Sequence, residues 1–245
     1  MMEPGTHEAP SPPEDGPIPW GCWAIFVTCA AMFAWETAAG GSQKIDVLMR
    51  FGANIGSYTL QGEWWRLWGS TFLHIGLLHL AVNMYSLRVV GPTLEEALGT
   101  PAFLAVYAVA GLTGSLASAW LHQQSPVISA GASGALFGLF GAVAWLVYAR
   151  RNRIAPEDRA RVIRSMLAPI VINLVIGAGA GFDNAAHVGG LVGGTLVAML
   201  LIAPAVHPLL GNELVSTILL TIGAMPFANE AWVAYRAWKM YSFMQ

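Results

Sequence analysis

Residues 131–150 read GASGALFGLFGAVAWLVYAR, and the only charged side chain in this stretch is its last residue, Arg150. About 20 apolar residues are enough for a helix to cross the hydrocarbon core of a bilayer. Similar apolar runs lie at 20–40, 70–90, 101–121, 166–182, 185–205 and 213–235. The pattern predicts an all-α integral membrane protein with a six-helix transmembrane bundle and a seventh transmembrane helix at its C-terminal end.

The composition of the whole chain also argues against a soluble protein. Its 245 residues are 56% hydrophobic and 11% charged, whereas soluble domains carry about 25% charged residues. A soluble fold with so few charges could not cover its surface, but a lipid-facing surface needs no such cover. The net charge is −2 without a basic patch typical of nucleic acid binding, so we expect no nucleic acid partner. We interpret Cys22 and Cys29 as apolar filler.

Three regions follow from the distribution of the apolar runs. Residues 1–19 are rich in proline and acidic residues and have no hydrophobic period, which predicts a disordered cytoplasmic tail without the basic region of a signal peptide. Residues 20–205 form the predicted six-span core, and residues 206–245 form a C-terminal extension. The seventh run is interrupted by Pro226, Asn229 and Glu230. An interfacial helix is therefore the alternative to a seventh span.

Charged and aromatic residues set the expected orientation. Residues 41–69 mix charges with tryptophans, which is typical of a segment at the membrane–water interface. Six arginines lie between the fourth and fifth runs: Arg150, Arg151, Arg153, Arg159, Arg161 and Arg164. Positive loops face the cytoplasm, and Arg88, after the second run, falls on the same side. We expect a cytoplasmic N-terminus and an external loop at 41–69. The acidic N-terminal tail is unlike the arginine-rich transit peptide of an organelle protein, so we expect a bacterial inner membrane.

This orientation brings several polar residues to one depth near the outer face. Ser133 and His187 lie at the outer ends of the fourth and sixth spans, and His74, His79 and Asn83 lie in the outer half of the second. Polar residues inside spans are costly and are therefore functional candidates. A serine becomes a nucleophile when a base lies within hydrogen-bond reach, and His and Asn side chains can donate to an oxyanion. Ordinary helix packing is the alternative for each residue taken alone.

Small residues predict which helices meet. Gly190 and Gly194 are four apart, as are Gly189 and Gly193, and the fourth span also carries small residues at helical spacing. This spacing lets two helix backbones approach closely. Close packing of the fourth span on the sixth would bring the ring of His187 to the hydroxyl of Ser133.

A metal site is the main chemical rival for the histidines. The stretch from His74 to His79 has neither the spacing nor the acid of a zinc-protease helix, and Asp183 is the only acid near His187 in sequence. We therefore expect no metal.

Four short motifs, in order, resemble the rhomboid family of intramembrane serine proteases. They are Glu63-Trp64-Trp65-Arg66, the set His74, His79 and Asn83, then Gly131-Ala132-Ser133-Gly134, and Ala186-His187-Val188-Gly189-Gly190 followed by Gly194. The resemblance covers about residues 20–205. It implies a six-span core with a water-filled cavity open to the outer face, and no metal or cofactor.

The resemblance also implies a role for each residue. Ser133 would be the nucleophile and His187 the general base, without a third acid. The oxyanion hole would consist of His79, Asn83 and the backbone N–H of Ser133. Glu63 and Arg66 would brace the external loop, and the fifth span would act as a lateral gate. In the family a tyrosine one turn after the nucleophile stacks on the histidine, and here that position is Phe137.

The expected function is hydrolysis of a peptide bond in the transmembrane helix of a membrane-protein substrate, single-span or polytopic, near the outer face of the lipid bilayer. The first alternative is a non-catalytic rhomboid-like protein that binds or escorts membrane helices. The second is a small transporter or channel, but the halves show no inverted repeat and no acidic residue sits mid-span with a partner.

Overall fold

The computed structural model describes residues 18–180 and 183–242, and these residues are all-helical apart from turns and loops. The α-helices are α1 (Trp20–Ala38), α2 (Ile45–Phe51), α3 (Gly56–Leu60), α4 (Arg66–Gly69), α5 (Leu77–Leu98), α6 (Thr100–Leu121), α7 (Ser133–Ala149), α8 (Pro156–Ala180), α9 (Asn184–Ile202) and α10 (Glu213–Ser242). Short 3-10 helices cover Ser70–Phe72 and His207–Gly211. Apart from Ile18 and Pro19, the predicted N-terminal tail lies outside the described residues.

Several of these helices are long and apolar enough to cross a membrane. Among the described residues they are α1, α6, α9 and the part of α10 from Glu213 to Arg236, and α7 is a shorter apolar helix. Helix α5 joins them if it forms one broken span with the segment Arg66–Phe72. The protein is therefore a multi-pass integral membrane protein.

The second predicted span, at 70–90, is shifted in the structure. Helix α5 begins at Leu77, and the preceding segment Arg66–Phe72 is bent by 93° relative to it. Gly76 has a φ of 84° at the start of the helix, a conformation that favours glycine. His74 therefore lies in the bend between this segment and α5, and not on the helix itself.

The same helix also runs further than its hydropathy predicts. It continues to Leu98, so Arg88 lies within it and not after it. The added segment carries Glu95, whose carboxylate accepts hydrogen bonds from the backbone N–H groups of Gly21 and Cys22 at 2.7 and 2.9 Å. An acidic residue near the end of α5 thus caps the start of α1, a contact that hydropathy alone does not reveal.

The fifth helix starts earlier than its apolar run. Helix α8 begins at Pro156, whereas the apolar run begins at residue 166. Glu157 and Asp158 occupy its first turn, where acidic side chains favour helix formation. Arg159, Arg161 and Arg164 consequently lie on α8, and only the first three arginines of the cluster lie between α7 and α8.

Helix α9 packs closely on α7 and α6 through glycines on two of its faces. A Cβ atom added at Gly190 would meet the carbonyl of Gly134 on α7, and one added at Gly194 would meet the backbone of Gly138. On the other face, a Cβ atom at Gly189 would meet the backbone of Thr113 on α6. The predicted packing of the fourth span on the sixth is thus present in the structure.

Residues 39–65 connect α1 to α4 and include the short helices α2 and α3. The buried guanidinium of Arg66 ties this segment together, since it donates to Glu63 Oε2 at 2.6 Å and to the carbonyls of Met49 and Ala53 at 2.8 and 3.0 Å. Glu63 and Arg66 therefore connect the segment to the start of α4.

Helix α10 lies along α6 and reaches the same segment. A Cβ atom at Gly223 would meet Leu104 of α6. Near the other end of α10, the ring of Trp232 packs against Trp65 with centroids 5.7 Å apart. Pro226 does not end the helix, and Pro226 and Glu230 are both buried.

Candidate active site

Ser133 is the first residue of α7, and the loop before it is held by backbone hydrogen bonds. The N–H of Gly131 donates to the carbonyl of Ser70 at 2.8 Å, and Ser129 pairs with Asn54 in an isolated bridge. Gly131 has a φ of 135°, and a Cβ atom there would lie 2.6 Å from the ring of His79. A glycine is therefore required at this position by both backbone conformation and space.

The hydroxyl of Ser133 and the Nε2 atom of His187 are 2.8 Å apart. Both side chains are buried, with 7% and 5% of their surface exposed. His187 lies in the first turn of α9, which Asp183 caps by accepting hydrogen bonds from the N–H groups of Ala185 and Ala186. His187 lies one turn after this capping residue, so its backbone position is fixed by the start of the helix.

Phe137 packs against the ring of His187. The two ring centroids are 4.3 Å apart and the planes are inclined by 10°, so the rings are stacked. Among the described residues, the Nδ1 atom of His187 has no hydrogen-bond partner. The orientation of the imidazole therefore depends on the stacked phenyl ring and on the hydroxyl of Ser133.

Ser133 and His187 line a cavity of about 370 Å³. His79 also lines it, together with Ser70, Ser115, Gln43 and Asp183. The N–H of Ile75 donates to the Nδ1 atom of His79 at 3.3 Å, so a neutral ring carries its hydrogen on Nε2. That nitrogen is the one beside Gly131, within the loop that precedes Ser133.

Asn83 lies one turn further along α5 and does not line this cavity. Its side chain is fully buried, and its Nδ2 atom donates to the carbonyl of His79 at 2.8 Å. One hydrogen on Nδ2 of Asn83 is therefore used within α5, and the second is left for another acceptor. The structure brings Ser133, His187 and His79 to one cavity and holds Asn83 directly behind His79.

His74 is fully buried outside the cavity lining. Its Nδ1 atom lies 3.1 Å from the carbonyl of Phe72, and its backbone N–H donates to Glu36 Oε2 at 3.3 Å. Its ring meets that of His79 at a centroid distance of 5.3 Å. Glu63 and Arg66 are also absent from the cavity wall, where the structure instead places Gln43.

Asp183 also lines the cavity, although it is not among the predicted site residues. Besides capping α9, its carboxylate lies 3.2 Å from the Nε2 atom of His122 at the end of α6. The signal that could have found it is an aspartate immediately before an apolar helical run, which is a common helix start. Among the described residues, no cluster of three or more His, Cys, Asp or Glu side chains forms a candidate metal site.

The helical architecture agrees with the comparison to known proteins. The family model of the rhomboid domain matches residues 61–204, and the chain belongs to the rhomboid family.

Individual relatives match over most of the chain. Rhomboid protease GluP of Bacillus subtilis is 40% identical over 201 residues, which cover 80% of this chain and 37% of GluP. RHOMBOID-like protein 5 of Arabidopsis thaliana is 31% identical over 82% of this chain and 76% of its own length. Rhomboid protease AarA of Providencia stuartii is 35% identical over 62% of this chain and 61% of AarA. The chain thus spans little more than a third of GluP.

Proposed function

We propose that this protein is an intramembrane serine endopeptidase with Ser133 as the nucleophile and His187 as the general base. The observation that carries the proposal is the 2.8 Å distance between Ser133 Oγ and His187 Nε2 inside a cavity. A serine hydroxyl needs such a base within hydrogen-bond reach to act as a nucleophile.

The reaction proceeds by acyl transfer. Ser133 Oγ attacks the scissile carbonyl while its proton passes to Nε2 of a neutral His187, whose hydrogen is on Nδ1. His187 then returns the proton to the leaving amine, and the peptide C–N bond breaks. Water attacks the acyl-enzyme with the same histidine as base, which releases the carboxylate product and restores Ser133.

The negative charge that develops on the carbonyl oxygen requires nearby hydrogen-bond donors. The Nε2–H of His79 and the backbone N–H of Ser133 are donors at the cavity, the latter because the first N–H groups of a helix have no intrahelical partner. Asn83 contributes its second amide hydrogen when its side chain turns toward the cavity. Stacking on Phe137 holds the ring of His187 in one orientation during both proton transfers.

The substrates are membrane proteins, and the scissile bond lies in a transmembrane helix. Such a helix hides its backbone in its own hydrogen bonds, so it must unwind before Ser133 reaches a carbonyl. We assign α8 as the lateral gate. Many of its described side chains are exposed. Among the described residues, its side-chain link to α5 is one hydrogen bond of 2.9 Å between Asn173 and Ser86.

The protein crosses a bacterial inner membrane seven times, with its N-terminus in the cytoplasm and its active site toward the outer face. Ser133 and Arg150 lie at opposite ends of α7, which supports an arginine-rich cytoplasmic side and a catalytic outer side. The contact of Trp232 with Trp65 supports a C-terminal helix that returns to the outer face.

Cleavage of a single-span model substrate in liposomes tests the proposal. We expect the wild-type protein to cut the substrate within its transmembrane helix, and Ser133→Ala and His187→Ala to abolish cleavage. Ser216→Ala is the matched control, since its hydroxyl bonds to the nearby carbonyl of Leu210 and its loss should leave the rate unchanged. A folded wild-type protein that binds the substrate without cutting it would instead be an escort protein.

A further inference from the structure

A second cavity lies at the end of the bundle opposite Ser133. Its volume is about 590 Å³, and it is formed where α7 and α9 end and the 3-10 helix His207–Gly211 begins. It shares no lining residue with the cavity of Ser133 and His187. Neither the family resemblance nor the proposed reaction gives this cavity a role.

The polar side chains that line this cavity are all basic or neutral donors. They are Arg150, Arg153 and His207, together with the indole of Trp145, and no acidic residue lines it within the part of the chain that the structure describes. Among the described residues, the ion pairs join Asp46 to Arg50, Glu63 to Arg66, Asp158 to Arg161 and Asp183 to His122. Neither Arg150 nor Arg153 belongs to one of these pairs, so two positive charges meet without a carboxylate.

The contact between Arg150 and His207 organises the donors. The Nη2 atom of Arg150 lies 3.0 Å from the Nε2 atom of His207. A guanidinium can only donate, so the imidazole nitrogen accepts and the ring hydrogen is on Nδ1. The remaining N–H groups of Arg150, those of Arg153 and the Nδ1–H of His207 leave the cavity walls rich in donors. A phosphate group, with its several acceptor oxygens, matches such a set.

The apolar part of the wall indicates which phosphate compound enters. Met199, Ile202 and Trp145 line the same cavity as the arginines, at the level where apolar helices end and polar chain begins. A phospholipid presents this combination of acyl chain and charged phosphate, and basic pockets between membrane helices bind anionic headgroups. Free phosphate is also negatively charged, but it has no acyl chain to cover the apolar part of the wall.

We propose that this cavity binds the phosphate group of an anionic phospholipid, with Arg150 and Arg153 contacting its oxygens and with its acyl region against Met199 and Ile202. Bound lipid would join the end of α7 to the connection between α9 and α10. Because these elements lie far along the chain from one another, the lipid acts as a non-covalent bridge at this end of the bundle.

The full chain in nanodiscs provides the test. In discs of phosphatidylcholine with phosphatidylglycerol, we expect a higher Tm than in phosphatidylcholine alone, and native mass spectrometry should detect retained phosphatidylglycerol. The double variant Arg150→Gln/Arg153→Gln should lose the increase in Tm and bind phosphatidylglycerol roughly tenfold more weakly, since charged hydrogen bonds are lost. The exposed Arg153→Gln alone provides a second variant if the double variant does not fold.

Arg151→Gln is the matched control. It removes the same charge one residue away, but Arg151 lies over the ring of Tyr148 outside the cavity, so the effect of phosphatidylglycerol should be retained. An equal loss in Arg151→Gln and the double variant would overturn the proposal in favour of general surface charge. The lipid assignment would be overturned if inorganic phosphate added to phosphatidylcholine discs raised Tm as much as phosphatidylglycerol does.

Discussion

The side chains of Ser133 and His187 meet although 54 positions separate them in the chain. Sequence reasoning could predict the pair because a polar residue inside an apolar run is costly and rarely without a function. It could not predict the position of His74, because the bend before Leu77 depends on the backbone at Gly76 and not on hydropathy. Nor could it show that the amide of Asn83 is bonded to its own helix.

Phe137 provides a test of how the general base is held. Phe137→Leu removes the ring stacked on His187 and should lower kcat about threefold to tenfold, since aromatic pairs contribute about 0.5–1.5 kcal/mol. Phe137→Tyr keeps the ring and should retain the wild-type rate in the liposome cleavage assay. Equal rates for the leucine and tyrosine variants would show that stacking does not position the imidazole.

Substitution of Asn83 distinguishes a role in the oxyanion hole from a role in helix packing. Loss of an oxyanion donor lowers kcat about 10²–10³-fold, so Asn83→Ala should reduce kcat by this order with KM little changed. Asn229→Ala is the control, because Asn229 lies on α10, bonds to the neighbouring Glu230 and does not line the cavity, so its kcat should stay at the wild-type value. If Asn83→Ala loses thermal stability but keeps kcat, Asn83 is a packing residue only.

At the scale of the elements, glycines decide how α7, α9 and α6 fit together. The four-residue spacing of Gly190 and Gly194 predicts a close helix contact, and the structure shows it with α7. The pattern does not show that the neighbouring pair, Gly189 and Gly193, faces α6. Hydropathy also does not give the bounds of α5 and α8, since both helices continue into polar sequence. Acidic residues in the first turn of α8, such as Glu157, favour that extension.

Substitution of Gly190 tests this close packing. Gly190→Ala introduces a Cβ atom against the carbonyl of Gly134, so α9 must shift, at a cost of about 1–3 kcal/mol. We expect a lower Tm and slower cleavage, because α9 carries His187. In Gly211→Ala the new atom meets nothing within 4 Å, and Tm should stay near the wild-type value. A tolerated Gly190→Ala would contradict the observed helix contact.

At the scale of the whole molecule, the two ends of the bundle differ in chemistry. One end holds the cavity with Ser133 and His187, and the other holds the cavity with Arg150 and Arg153. The arginine-rich sequence predicts the basic end, whereas a cavity there depends on two separate chain segments, 145–153 and 199–208, and is visible only in the structure. The interruption of the last apolar run is explained similarly, since Pro226 and Glu230 are buried within the fold.

Cysteine accessibility tests the seven-span topology. Cys22 and Cys29 are buried, so the native cysteines should react little with a maleimide. In intact bacteria, a membrane-impermeant maleimide should label Trp64→Cys and Lys239→Cys, whereas Asn152→Cys should react only after permeabilisation. Labelling of Lys239→Cys only in permeabilised cells would show that α10 does not cross the membrane.

Covalent labelling by a fluorophosphonate tests the central claim most directly, because the probe forms a phosphorus–oxygen bond with an activated serine and releases fluoride. We predict that purified wild-type protein in detergent is labelled at Ser133, that Phe137→Tyr is labelled equally, and that Ser133→Ala and His187→Ala are not labelled. A folded wild-type protein that resists the probe, or a Ser133→Ala variant labelled as strongly as wild type, would contradict the assignment of this pair.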